Sequence, residues 1–333
     1  MKYALLCYHT TNLGDEVQSI AARQFLPSID LLVDRDQPNV LPDGAVDAPY
    51  KIVFNGWHTH APQNWPPSPQ LDLLPVSMHI TGEMPSLNTS RLKPTDVLLK
   101  GANLEFLKAH APIGARDLWT MELLKKHGVD AYFSGCMTLT IGRGNERKRG
   151  DYVCAVGLRK PLLKRLRGMV RGTLVQTTHE DTTHRAFADR MARAEQLLSL
   201  YAHAKCVVTS KLHCALPCLA LGTPVLFVIA APDSYRFSGL KELVRHCSPE
   251  EFLTGAAGVD PNDPPPNGDA YRTYRAALTH TVNRFIDPVR ADADAPLHPF
   301  EPDTNIDALL KTVATEVHKG RAARFFTGLL GAS

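Results

Sequence analysis

The sequence lacks several features that would decide its class at once. Its 37 basic and 34 acidic residues leave a formal net charge of only +3, so no overall charge excess favours binding to nucleic acid. The seven cysteines are scattered without a C-x-x-C pair, as expected for reduced thiols in the cytosol rather than for a disulfide framework. No internal repeat is present. These absences predict a cytoplasmic protein that acts on something other than nucleic acid.

Long hydrophobic runs are also lacking. The stretch over residues 214–231 comes nearest to membrane-spanning length, but Pro217, Gly222 and Pro224 divide it into a short helix and a strand. The apolar run at residues 1–8 is too short for a signal peptide. We therefore expect no transmembrane helix.

Chain length and hydrophobic patterning predict a two-domain α/β protein. At 333 residues the chain exceeds the usual size of one hydrophobic core, and strand-like and helix-like segments alternate in both halves, which is typical of parallel sheets. A polar, glycine-rich stretch separates the halves. We expect an N-terminal α/β domain over 1–145, a C-terminal α/β domain over 151–290, and a C-terminal helix over 300–330 that would pack back on the N-terminal domain. Two doubly wound, Rossmann-like domains of this kind would form a GT-B-like architecture.

The individual elements follow from the periodicity of apolar residues and from glycine and proline punctuation. Predicted strands cover residues 2–8, 51–54, 112–115, 131–133, 137–141, 152–156, 173–176, 206–208 and 225–229. Predicted helices cover 16–26, 103–109, 117–127, 162–170, 183–202, part of 209–221, 270–286 and 304–326.

Polar residues directly after the first strand form one candidate site. His9, Asn12, Gly14 and Asp15 lie between this strand and the next helix. Ligands of open parallel sheets bind beyond the carboxyl ends of the strands, and a helix N-terminus offers N–H groups to an anion. The alternative is that Asp15 only caps the helix that begins at Glu16.

A second candidate follows the strand at 51–54. Asn55, Trp57, His58 and His60 lead into a proline-rich loop, and the Trp57 ring could stack on a sugar. A zinc site is the weaker interpretation because zinc needs three converging protein ligands and no third one is close in the sequence. We therefore predict a substrate surface and no metal.

The strongest candidate lies between the strand at 206–208 and the following helix. Here Ser210, Lys211, Leu212 and His213 bring an anion-binding cation and a titratable imidazole to one mouth of the sheet. Arg236, after the next strand, would reach the same rim. A lone buried histidine is more often structural, but this combination favours a site for a small anion.

Three segments in order resemble the polysaccharide pyruvyl transferase family. They are NLGD at 12–15, GARDLWTMELLKKHGVDAYFSG at 114–135 and TSKLHCALPCLALGTPV at 209–225, the last similar to the S-[RK]-L-H signature of the family. The resemblance implies a GT-B-like fold and transfer of pyruvate from phosphoenolpyruvate to two hydroxyls of a sugar as a cyclic ketal. It implies His213 as general acid and Lys211 as a ligand of the donor.

Position 211 departs from the pattern of many relatives, which carry Arg there. Lys cannot make the bidentate fork that Arg offers to a carboxylate. Orientation of phosphoenolpyruvate would therefore depend more on Arg236, Arg116 or Arg159. In the facing domain, Asp15 or His9 would serve as the base for the attacking hydroxyl.

Two other classes of function remain open. A nucleotide-sugar glycosyltransferase would share the architecture, although the E-x7-E pair of many retaining enzymes is replaced here by Thr209 and Pro217. A glycan-binding protein without activity is the other alternative.

Charge is unevenly distributed within the chain. Residues 143–171 hold ten basic and two acidic residues. The basic stretches at 160–171 and 319–330 would hold the protein against anionic lipid at the inner face of the plasma membrane, where a lipid-linked oligosaccharide acceptor would be presented. The alternative is an ordinary solvated helix face.

Overall fold

The computed structural model describes residues 1–84, 90–142, 149–183, 186–230 and 234–311. The strands are β1 (Lys2–Cys7), β2 (Leu31–Asp34), β3 (Tyr50–Val53), β4 (Gly56–Trp57), β5 (Leu71–Leu74), β6 (Met78–His79), β7 (Ile113–Ala115), β8 (Ala131–Phe133), β9 (Tyr152–Val156), β10 (Thr173–Thr177), β11 (Cys206–Thr209), β12 (Val225–Val228) and β13 (His246–Cys247). The helices are α1 (Gly14–Arg23), α2 (Pro94–Leu98), α3 (Gly101–Ala109), α4 (Leu118–Lys126), α5 (Lys160–Met169), α6 (Phe187–His203), α7 (Leu212–Ala220), α8 (Pro249–Thr254) and α9 (Tyr271–Ile286). Short 3-10 turns cover Pro62–Asn64, Met137–Thr140, Tyr235–Phe237, Lys241–Leu243 and Pro288–Arg290.

The strands of the N-terminal half form two parallel sheets that continue one another. Their orders are β2-β1-β3-β5 and β4-β6-β7-β8. In the second sheet, β4 follows β3 after two residues and β6 follows β5 after three. The Phe54 N–H donates to the Leu74 carbonyl across the junction at 2.8 Å. The carboxyl ends of β4, β6 and β7 therefore lie side by side at one edge.

The C-terminal half contains one parallel sheet in the order β10-β9-β11-β12-β13. Every residue of β9, β11 and β12 is buried, as expected for strands covered on both faces by helices. The strand order reverses between β9 and β11, which places the crevice for a ligand at the carboxyl ends of these two strands. Lys211 and Gly157 lie at this crevice.

Helices connect the two halves through a shared hydrophobic core. One cluster of buried side chains includes residues of β1, α1, α6, β9 and α7. The guanidinium of Arg190 on α6 forms a two-pronged ion pair with the buried Glu16 carboxylate on α1, with N–O distances of 2.7 and 2.9 Å. Since apolar packing and a buried ion pair both cross between the halves, α1 and α6 fix the two groups of sheets relative to each other. The division at 142–151 stays a prediction.

The predicted α/β class with parallel sheets is confirmed, and most predicted strands and helices are present within a few residues. The strand predicted at 137–141 is wrong, because Met137–Thr140 forms a buried 3-10 turn. A short, fully buried apolar run has no periodicity that distinguishes strand from helix. Of the helix predicted at 304–326, residues 306–311 are helical, residues 304–305 are not, and residues 312–326 lie outside the described residues. Among the described residues, no helix has the length and hydrophobicity needed to cross a bilayer.

Candidate functional site

His213 lies in the first turn of α7, directly after β11. The loop before it is tied to the neighbouring strand β9, since the Thr209 hydroxyl donates to the Val156 carbonyl at 3.1 Å and the Ser210 hydroxyl donates to the Gly157 carbonyl at 2.7 Å. These bonds hold the start of α7 at the mouth of the sheet. They fix the point from which the imidazole projects.

The NLGD loop of the N-terminal half closes against His213. A Cβ atom at Gly14 would lie 3.0 Å from His213 Nδ1, so a larger residue would displace the imidazole from this position. Two backbone bonds of 2.8 Å hold the loop to the C-terminal half, from the Leu13 N–H to the His179 carbonyl and from the Asp181 N–H to the Thr11 carbonyl. The structure thus brings together the first and third candidate sites of the sequence.

Two arginines converge on the same region. Arg116 follows β7 and is only 3% exposed. Arg236 lies in the turn Tyr235–Phe237, with its guanidinium 4.2 Å above the centre of the Trp57 ring. Within the described ranges, the buried Nε of Arg236 has no hydrogen-bond partner, and that of Arg116 has none either but lies 3.5 Å from Asp117 Oδ2 in an ion pair. Burial, and after it the nearby Arg116 charge, lowers the pKa of Arg236, as expected for two cations held close together without enough negative charge.

The segment that carries Arg236 is held to the N-terminal half. The Tyr235 hydroxyl lies 2.7 Å from the Thr81 hydroxyl, and the backbone N–H groups of Leu118 and Trp119 donate to the Ser238 carbonyl and hydroxyl at 3.1 Å. Arg236 therefore belongs to the C-terminal half in sequence but is positioned by the N-terminal end of α4.

A second imidazole, His79, lies next to this pair of arginines. Register places His79 of β6 beside Trp57 of β4, and Met78 beside Ala115, so the side chains at the ends of β4, β6 and β7 are neighbours. His79 is fully buried, and its Nδ1 lies 2.6 Å from Oδ2 of Asp117. Its Nε2 has no partner among the described residues.

Burial and nearby positive charge favour the neutral form of both imidazoles. Burial, and then the Arg116 charge, holds the pKa of His213 well below its usual range, and the same two causes lower the pKa of His79 to about 4. His213 Nε2 is also buried and unpaired within the part of the chain that the structure describes. Buried polar atoms without partners are rare in folded proteins, and several at one place indicate a polar ligand. Two guanidinium groups fit a small anion.

Lys211 lies beside the crevice between β9 and β11. Its aliphatic chain runs along Gly157, where an added Cβ would lie 2.7 Å from Lys211 Cε. The nearby His179 donates to or accepts from the Tyr201 hydroxyl at 3.0 Å, and burial, followed by the Lys211 charge, lowers the pKa of His179 to about 3. Of the other predicted residues here, Leu212 packs in the core and Arg159 is exposed at the start of α5.

Asp15 does not act as a helix cap. Helix α1 begins at Gly14 and its N-cap residue is Leu13, so Asp15 is the second residue of the helix. The Asp15 carboxylate instead accepts from the Thr10 hydroxyl at 2.7 Å and from the Gln18 amide at 3.5 Å, and it pairs with the buried Arg35 at 3.4 Å.

Other side chains near the end of β1 face different surroundings. The Asn12 side chain accepts from the Gly14 N–H at 3.2 Å, which shapes the NLGD loop. His9 is 77% exposed and lies 3.6 Å from Asp34, at the end of β2. No contact of His9 reaches His213 within the described structure.

The second candidate site is divided by the fold. Asn55 is buried and donates to the Gln18 carbonyl at 3.4 Å, and Trp57 offers one ring face to Arg236, so that face is closed to a sugar. His58 stacks on Phe54 with ring centres 4.0 Å apart, inside the N-terminal core; its burial lowers its pKa to about 3. Among the described residues, no group of three His, Cys, Asp or Glu side chains is placed to hold a metal ion.

Sequence reasoning missed four residues of the site, namely His79, Asp117, Tyr235 and His179. The strand before His79 contains only two residues, too few for a periodicity signal. Asp117 was assigned only to the start of a helix, which it does cap through the Thr120 N–H at 2.9 Å. Its other carboxylate oxygen, Oδ2, binds His79 Nδ1.

The fold is that of an α/β protein with all-parallel sheets, with a cluster of buried arginine and histidine side chains between them. Residues 98–230 match the family model described as Polysaccharide pyruvyl transferase, and the chain carries a domain of this family over these residues. A domain of this family is typical of a transferase. Arg116, Asp117 and His213 lie inside the matched segment, whereas Gly14, His79 and Arg236 lie outside it. Comparison with curated proteins and with solved structures gave no significant match.

Proposed function

We propose that the protein is a ketal pyruvyltransferase that moves pyruvate from phosphoenolpyruvate onto two hydroxyls of a sugar in a bacterial surface glycan or exopolysaccharide. The observation that carries this proposal is that the guanidinium groups of Arg116 and Arg236 both act on the imidazole of His213, whose buried Nε2 has no hydrogen-bond partner among the described residues. Phosphoenolpyruvate carries a carboxylate and a phosphate on the same carbon, C2, and two converging arginines match these two anionic groups.

His213 is the proposed general acid. The methylene carbon of phosphoenolpyruvate must be protonated before C2 accepts a hydroxyl, and an imidazolium can supply that proton. In the ligand-free protein, however, burial and the Arg116 and Arg236 charges hold the pKa of His213 well below its usual range. Bound phosphoenolpyruvate would offset those cations and raise this pKa. Binding of phosphoenolpyruvate would therefore generate the His213 imidazolium that protonates it.

Lys211 and Ser210 are proposed to contribute at the β9–β11 crevice, with Lys211 placed to meet the donor phosphate. Arg159 is a weaker candidate than Arg116 and Arg236 because it is exposed. The dry, cationic surroundings would stabilise the charge that develops on the leaving phosphate.

The acceptor is proposed to be a sugar or a lipid-linked oligosaccharide that enters from the N-terminal half. The loops after β1 and β10 meet at the His213 side, which supports a GT-B-like arrangement with the reaction between the two halves. The exposed basic residues of α5 would favour an anionic membrane surface at the cytoplasmic face. The second basic stretch, at 319–330, lies outside the described residues.

Phosphate release tests the proposed function. The purified protein is incubated with phosphoenolpyruvate and a panel of p-nitrophenyl glycosides of galactose, glucose, mannose and N-acetylglucosamine, and inorganic phosphate is followed over time. We expect release that depends on a glycoside and is lost in His213→Gln. Sugar transfer from a UDP- or GDP-sugar, with phosphoenolpyruvate left intact, would instead establish a nucleotide-sugar glycosyltransferase. Tight binding of phosphoenolpyruvate without turnover, insensitive to His213→Gln, would indicate a binding protein.

Calorimetric titration with phosphoenolpyruvate tests the two arginines separately. Removing a charge-assisted hydrogen bond to a buried anion costs about 1.5–3 kcal/mol, so Arg116→Gln and Arg236→Gln should each weaken binding by about 10-fold to 150-fold. Arg272→Gln is the matched control, because Arg272 is 70% exposed and pairs with Asp269 on the surface. Equal affinities in all three variants would place the donor elsewhere.

A further inference from the structure

The buried pair of His79 and Asp117 has a chemical capacity that the donor site alone does not use. Both side chains are fully buried, and Asp117 Oδ2 lies 2.6 Å from His79 Nδ1. The other carboxylate oxygen, Oδ1, accepts from the backbone N–H of Thr120 at 2.9 Å and from its hydroxyl at 2.8 Å. Asp117 therefore has one oxygen bound to the helix, while the other binds the imidazole and lies 3.5 Å from Arg116 Nε in an ion pair.

This arrangement fixes which imidazole nitrogen carries the proton. A carboxylate only accepts hydrogen bonds, so Nδ1 of His79 must be the donor across 2.6 Å. In the neutral ring Nε2 then bears the lone pair. Within the described ranges Nε2 is buried and has no partner, while the Trp57 ring lies 5.0 Å from the imidazole. The site thus holds an unprotonated nitrogen beside the proposed donor pocket.

We propose that His79, oriented by Asp117, is the general base that takes the proton from the attacking sugar hydroxyl. This inference rests on the proposed function. It assigns opposite roles to the two imidazoles of the site, with His213 supplying a proton to the donor and His79 accepting one from the acceptor. Asp117 is a positioning residue because it acts through His79.

The proton and electron balance of the transfer is complete with these two groups. The π electrons of the C2–C3 double bond take a proton from His213 at C3, and the first hydroxyl oxygen forms a bond to C2 as its proton passes to His79 Nε2. Phosphate leaves with the C2–O bond pair, and the second hydroxyl forms the second C2–O bond while its proton goes to the phosphate. Return of one proton from His79 to His213 restores the site. No oxidant, reductant or metal is needed.

Asp15 is a poorer candidate for this role. Its carboxylate already accepts from Thr10 and Gln18 and pairs with Arg35, whose side chain is fully buried. A base needs a lone pair directed at the substrate proton, and the lone pairs of Asp15 are engaged by protein donors. The unpaired Nε2 of His79 meets this requirement.

Asp117→Asn separates the base from the helix cap. An asparagine oxygen can keep the bonds to Thr120, but its amide nitrogen then faces His79 Nδ1 and donates to it. The proton of the imidazole would move to Nε2, and the lone pair would be lost from the site. We expect kcat to fall by about 100-fold to 10,000-fold, the usual contribution of general acid–base catalysis. Phosphoenolpyruvate affinity should not weaken, because the substitution removes only a negative neighbour of Arg116. His79→Gln should give a similar loss.

The exposed pair of His280 and Asp294, 3.2 Å apart, supplies the matched controls His280→Gln and Asp294→Asn, which should leave kcat unchanged. In the same glycoside assay, loss of turnover in Asp15→Asn combined with normal turnover in Asp117→Asn and His79→Gln would overturn the inference. The proposed function would survive that result. Absence of phosphate release from the wild-type protein with every glycoside would contradict the proposed function instead.

Heteronuclear NMR of histidine-labelled protein tests the tautomer without an acceptor. We expect His79 to carry its proton on Nδ1 in the wild type and on Nε2 in Asp117→Asn, with the His280 signals unchanged. A merely structural Asp117 would not produce this switch together with the loss of kcat. A wild-type spectrum with the proton on Nε2 would overturn the inference by itself.

Discussion

Gly14→Ala is a small perturbation aimed at the contact between the NLGD loop and His213. The new methyl carbon would lie 3.0 Å from His213 Nδ1 and 3.1 Å from the Asn12 Oδ1 atom. An ordinary van der Waals contact begins at 3.4 Å, so the imidazole must move by about 0.4 Å to restore one. The backbone itself does not oppose the change, because Gly14 is not in the left-handed region.

The expected magnitude follows from this displacement. A misplacement of about 1 Å at a catalytic group can cost about 100-fold in rate, so a shift near half that size should lower kcat about tenfold. Alanine in place of glycine in a helix stabilises by about 0.5–1 kcal/mol, which offsets part of the crowding. We therefore expect the free energy of unfolding to change by less than about 1 kcal/mol. Activity and stability should separate.

Two assays measure the two effects, namely steady-state phosphate release and urea unfolding followed by circular dichroism. Gly168→Ala on α5 is the matched control, because nothing lies within 4 Å of the added methyl group there. It should leave kcat unchanged. Wild-type kcat in Gly14→Ala would refute the reasoning that the loop sets the position of His213.

Three further predictions test other parts of the site and the fold. Binding of phosphoenolpyruvate should be accompanied by the uptake of at most one proton, because the pKa of His213 rises from well below its usual range as the anion arrives. Affinity should then fall with rising pH by at most about tenfold per pH unit. Calorimetric binding enthalpies that are the same in buffers of different ionisation enthalpy would contradict this. Glu16→Gln leaves the Arg190 charge buried without its partner and should lower the free energy of unfolding by about 3–5 kcal/mol. A loss below about 1 kcal/mol in urea unfolding would mean that this ion pair does not hold the two halves together. Trp57→Leu removes the ring beneath Arg236, a contact of about 1–2 kcal/mol, and should weaken phosphoenolpyruvate binding by about 5-fold to 30-fold. Trp57→Phe should retain most of the affinity. Equal losses in both variants would show that the aromatic ring face does not contribute to binding.

The parts of the site that follow long strands could be predicted from the sequence. β1 and β11 are buried runs long enough to be recognised, so the polar residues after them, including Gly14 and His213, were found. The ordered motifs resemble the polysaccharide pyruvyl transferase family, and the match over residues 98–230 confirms a domain of that family there. Arg116 was reached in the same way, through the segment that resembles the family.

The parts that depend on short strands and on the meeting of distant loops could not be predicted. β4 and β6 contain two residues each, and their side chains become neighbours only through strand register. The pairing of His79 with Asp117 joins residues 38 positions apart. No local sequence pattern shows that Arg236 covers one face of the Trp57 ring, the ring that the sequence predicts as a stacking surface for a sugar.

The fate of C2 of phosphoenolpyruvate tests the central claim most directly. Phosphoenolpyruvate isotopically labelled at C2 is incubated with the protein and the glycoside panel, and the products are followed by carbon and phosphorus NMR. The account predicts that the label appears in a ketal carbon bonded to two sugar oxygens, with one phosphate released per ketal, and that His213→Gln abolishes both signals. Label that remains in phosphoenolpyruvate while a UDP- or GDP-sugar is consumed would contradict it.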